Sequence, residues 1–178
     1  PREIEGRVAY KKLLSAGDSF LSKGNLDSAQ VSFEQASVLM PDSWTPHFKQ
    51  GIVFGAQKKF EQAEKEYRMG LEIYPDHPSL LANHGATLAI LGKVDEAEPL
   101  LRTAIRQWPN NPNAYNSLAQ IYLRQNKHEK ARDTLLLAVV ANPSFGTGPA
   151  FLGWRYRKDP RVFNSGLGRA IANRGRAS

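Results

Sequence analysis

Cysteine is absent from the 178-residue chain. Its absence excludes disulfides, thiolate metal sites and cysteine nucleophiles together. It does not decide between the cytoplasm and a bacterial periplasm, since a cysteine-free chain suits both. No apolar run approaches the roughly 18 residues a membrane-spanning helix needs. Histidine is sparse, with only His47, His77, His84 and His128, and no two of them stand at metal-ligand spacing. His47 and His84 fall on apolar helix faces and read as core histidines. The glycine stretches "GTGPAFLG" and "GLGRAI" follow no strand, so they do not read as phosphate loops. No nucleophile stands beside a base. These absences lead us to expect a non-enzyme without cofactor or metal.

Charge is missing in two places. "PSLLANHGATLAILGK" carries no charged side chain from Pro78 until Lys93, although helices on protein surfaces normally show a charged face to water. Acidic residues are also nearly absent from the C-terminal stretch. Residues 1–143 hold 17 Lys+Arg against 16 Asp+Glu, whereas residues 144–178 hold seven against Asp159 alone. The seven are Arg155, Arg157, Lys158, Arg161, Arg169, Arg174 and Arg176. They alternate with Trp154, Tyr156 and Phe163. Such a segment attracts an acidic protein, an anionic membrane surface or nucleic acid. The plainer reading is a solvated cap or tail.

What is present is a period. Pro41, Pro75, Pro109 and Pro143 stand 34 residues apart. Ala29, Ala63, Ala97 and Ala131 keep the same step, as do Ala36, Gly70, Ala104 and Ala138. A large column runs Phe33, Tyr67, Leu101, Leu135, and a small one runs Gly17, Gly51, Gly85, Ala119, Gly153. Within each period the apolar residues recur at helical spacing, as in Val94, Ala97, Leu100, Leu101, Ala104 and Ile105. Gly24, Lys58, Gly92 and Asn126 fall where a left-handed residue ends a first helix. Asp42, Asp76, Asn110 and Ser144 follow the prolines and are expected to begin the turn or cap the next helix. Small columns let helix backbones approach, and the large column plugs the gap left between them. One such pair cannot bury its apolar face alone, so pairs must stack.

These columns resemble the tetratricopeptide repeat family. The resemblance covers about residues 10–157 and implies an all-α fold, a right-handed α-solenoid of antiparallel helix pairs. It implies a lead-in over 1–9, repeats at 10–43, 44–77, 78–111 and 112–145, the first helix of a fifth at 146–159, and a basic capping or flexible tail at 160–178. It further implies that the first helix of each pair lines a concave groove holding a peptide or helix of another protein. Transferred by position, the groove residues are Leu14, Phe48, Ile52, Ala82, Ala86, Ile90, Asn113, Asn116, Gln120 and Arg124. The middle is apolar and the fourth repeat offers amides. Where one branch of the family grips a C-terminal carboxylate with Lys, Asn and Arg, this sequence has Leu14, Asp18 and Ser79, so no such clamp is expected. The chain also has the general look of bacterial pilus and secretion assembly members. Self-assembly through an end or the convex face, and an electrostatic tether through the tail, are the alternatives.

Overall fold

The computed structural model describes residues 2–142. The partial fifth repeat and the seven basic tail residues lie outside the described residues. Eight helices follow one another: α1 (Arg2–Ser22), α2 (Leu26–Leu39), α3 (Trp44–Ala56), α4 (Phe60–Ile73), α5 (Pro78–Ile90), α6 (Val94–Gln107), α7 (Pro112–Arg124) and α8 (His128–Ala141). Among the described residues there is no strand. Residues 2–9, expected as a lead-in, are helical and form the start of α1.

Each turn inside a pair is built from one backbone device. Gly24, Lys58, Gly92 and Asn126 have φ of 73°, 60°, 79° and 57°. These left-handed residues end the first helices and reverse the chain. Glycine and asparagine reach this region cheaply; Lys58 does so at a steric cost. Between pairs the proline column stops the second helix. The caps then sit one residue later than the sequence suggests. Ser43, His77 and Asn111 cap α3, α5 and α7, accepting hydrogen bonds from the backbone N–H groups of Thr45, Leu80 and Asn113. Asp42, Asp76 and Asn110 neither cap nor begin the turns but follow the proline within them, where the Ser43, His77 and Asn111 N–H groups donate to the Met40, Tyr74 and Trp108 carbonyls.

The interior is a series of layers. Ala29, Phe33 and Val53 form the first buried cluster; Phe54, Ala63, Tyr67 and Leu80 form the second. The third spans α5 to α8 around Leu88, Leu101, Leu118, Ile121 and Leu135. The plug column fits the small column directly. A Cβ added to Gly17 or Gly51 would land on the ring of Phe33 or Tyr67, and one added to Gly85 would lie 2.7 Å from Leu101 Cγ. Each plug therefore occupies the volume that a missing side chain leaves.

Candidate functional site

Packing accounts for part of the uncharged surface of α5. It lies against α4 and α6, and also directly against α7, a closeness that α1 with α3 and α3 with α5 do not reach. Ala82 (3% exposed) and Ala89 (6%) are in the third cluster. Ala82, expected to line the groove, is therefore a buried spacer: its small side chain lets two first helices approach. The remaining positions on that side are Ala86, half-buried, and Ile90, 50% exposed. Ile52, at the repeat position of Ala86, is half-buried on α3. Leu14 is half-buried and packs on the first cluster.

Phe48 is held in place rather than free. Its ring stands 5.9 Å from Trp44, 6.3 Å from Tyr67 and 6.3 Å from His77. Trp44 and His77 rings lie 3.9 Å apart, with Tyr74 5.3 Å from His77. Trp44, Tyr74 and His77 were not among the sequence candidates. The signal available was the clustering of aromatics at helix ends (Trp44 opens α3, and Tyr74 follows α4), which a repeat-column reading passes over.

On α7, Asn113 and Gln120 are exposed and Asn116 is half-buried. Arg124 is exposed, but its Nη1 donates to the Ala89 carbonyl oxygen at 2.7 Å. It thus ties α7 to the C-terminal end of α5, where carbonyls lack helical partners. Lys49 Nζ donates to Asp18 Oδ1 at 2.7 Å, which neutralises charge between the first two repeats. The surface along α1, α3, α5 and α7 is thus apolar at its middle and amide-rich toward α7.

Behind α3 and α5, histidines meet the carboxylates of α4. His47 Nδ1 lies 2.8 Å from Glu66 and His84 Nε2 lies 3.3 Å from Glu64, both imidazoles being buried. Burial holds His84 below its ordinary 6.5, against the upward pull of Glu64. Burial also lowers His77. Both imidazoles bind protons more readily when unfolded, so their contribution is present above the ordinary value and is lost as pH falls through the folded values. The melting temperature is expected to fall between pH 7.5 and 5.5. His84→Leu, which copies Leu118 at the same repeat position, should shallow that slope. An unchanged slope in the variant would contradict this.

Among the described residues, His, Asp and Glu form no group of three able to hold a metal, and no helix is long and apolar enough to cross a membrane.

A family model described as tetratricopeptide repeat matches residues 14–78 and 87–145. The type IV pilus assembly protein PilF of Pseudomonas aeruginosa is 27% identical over 131 residues, covering 72% of this chain and 51% of the relative. The chain thus spans about half the length of that relative. A solved structure of Pseudomonas aeruginosa pilF superposes with a TM-score of 0.73 at 21% identity, covering 97% of this chain and 86% of that one. The first TPR of Spaghetti (RPAP3), bound to the HSP90 peptide SRMEEVD, superposes with a TM-score of 0.63 at 20% identity, covering 66% of this chain and 93% of that one.

Proposed function

The chain belongs to the tetratricopeptide repeat family, and on that premise we propose that it is a non-enzymatic scaffold. It receives a segment of a partner protein along α1, α3, α5 and α7. The observation that carries this reading is the uncharged apolar stretch along the first helices, where Ile52 and Ala86 occupy the same repeat position half-buried and Ile90 follows half-exposed on the uncharged α5. Exposed apolar surface bordered by polar residues marks a contact site. Ile52, Ala86 and Ile90 take apolar side chains of the ligand. Asn113, Asn116 and Gln120 bond its backbone, since amides both donate and accept. The ligand's terminus is not gripped by charge, because Leu14, Asp18 and Ser79 stand at the clamp positions. Similarity to a type IV pilus assembly protein and to a peptide-bound repeat domain supports a role in a multiprotein assembly.

Truncation after Pro143 tests this reading. A groove scaffold keeps its partner when the basic residues from Arg155 to Arg176 are removed. Loss of the partner on that truncation, with binding undisturbed by groove substitutions, would make the repeats a spacer and the tail the working part.

A further inference from the structure

A second concavity lies on the opposite side of α7. A cleft of about 400 Å³ opens between α6, α7 and α8. Its apolar wall includes Ile105, Leu118, Tyr122 and Leu137. Leu118 and Tyr122 each lie two residues from Gln120, and two residues is about 200° of helix rotation. The cleft therefore faces away from the amides assigned to the groove.

The equivalent place one repeat earlier holds a polar bridge and acidic side chains. Subtracting 34 turns Leu118 into His84, whose Nε2 lies 3.3 Å from Glu64 in a polar bridge. It turns Leu137 into Thr103, Arg106 into Glu72 and Lys130 into Glu96. The charge sign reverses at the later cleft, and an aliphatic residue replaces the bridging imidazole.

Arg106 and Lys130 line this cleft, and neither pairs with a carboxylate among the described residues. Arg106 Nη2 donates to Thr103 Oγ1 at 2.9 Å, and Lys130 Nζ stands 5.9 Å from the Tyr122 ring centroid. Arg102 is different. It is bonded to Glu98 Oε1 at 2.9 Å and to the Tyr122 hydroxyl at 2.7 Å, so it serves as wall. Asp133, the acid at the rim, is engaged by Arg132 at 2.8 Å.

We propose that this cleft is a second docking site, taking a short acidic peptide segment of a partner protein. An aliphatic or aromatic side chain enters between Leu118 and Leu137, and flanking carboxylates meet Arg106 and Lys130. Unpaired cations around an apolar pocket suit that combination, because the anchor supplies affinity and the rim charges select the partner.

The probe is the blocked peptide Ser-Asp-Glu-Leu-Phe-Asp-Glu-Ser, fluorescently labelled, titrated into the full chain and compared with its Asn/Gln counterpart. The acidic form should bind at least about tenfold tighter, and Arg106→Glu with Lys130→Glu should remove about that factor. Leu137→Gln should weaken both peptides, and Ala86→Arg should change neither. Equal binding of the two peptides overturns the proposal. So does binding indifferent to the two charge reversals, as it would be if the basic residues from Arg155 to Arg176 held the peptide. Loss of binding in Ala86→Arg alone would place the peptide in the groove instead. Failure here leaves the groove reading standing, since that is tested on the other face.

Discussion

Gly51→Ala is expected to destabilise the protein, against the usual direction for glycine in a helix. Alanine within a helix normally gains about 0.5–1 kcal/mol over glycine. At Gly51 the new methyl would land on the buried ring of Tyr67. That ring cannot retreat easily, because it also packs against Phe48 at 6.3 Å. Overpacking of this kind costs about 1–3 kcal/mol, sometimes more. For a chain of this size each kcal/mol moves the melting temperature by about 2–4 °C. A fall of about 3–10 °C is therefore expected. Gly55→Ala, four residues on in the same helix, meets nothing within 4 Å and should raise stability. In the fourth repeat the small position is Ala119 and the plug is Leu135, both buried in one cluster. Gly51→Ala combined with Tyr67→Leu should accordingly recover part of the loss. Thermal melts of the four proteins decide the matter. A neutral or stabilising Gly51→Ala would refute the paired small and large columns.

Ala86→Arg should reduce affinity for a groove partner by at least about 100-fold, the scale of losing a central contact. Ala86 is only half-buried, so the long side chain can reach water along the groove and the fold should persist. Ile90→Arg should behave similarly. Val38→Arg, on the well-exposed face of α2, should leave binding unchanged. Affinities alongside helical circular dichroism separate lost binding from lost structure. Undiminished affinity in both groove variants would sink the assignment.

The fold was legible because the repeat writes each packing contact several times. Gly51 and Tyr67 stand 16 residues apart, as do Gly17 with Phe33 and Gly85 with Leu101. Repetition turns a weak local signal into a pattern. The left-handed residues were readable for the same reason, even at Lys58, where the residue type alone argues otherwise.

The site was legible only in part. Ala82, Ala86 and Ala89 look alike in sequence, yet the approach of α7 buries the outer two more deeply and leaves Ala86 half-buried. That distinction depends on how far neighbouring first helices stand apart. Arg124 reads as a groove cation, but its bond to the Ala89 carbonyl oxygen depends on α5 ending beside it. The stack of the His77 ring on Trp44 pairs side-chain types that the later repeats lack at those positions, where Pro78 and Pro112 replace the tryptophan, so no column displays it. Sequence columns show what recurs; these features occur once.

The most direct test places a photo-cross-linking amino acid at position 90, with the same label at position 38 as the control, in cells of the source organism. We expect a discrete adduct from position 90, absent from position 38 and abolished when Ala86→Arg is added. An adduct that persists with Ala86→Arg, or appears equally from both positions, would contradict the groove as the working surface.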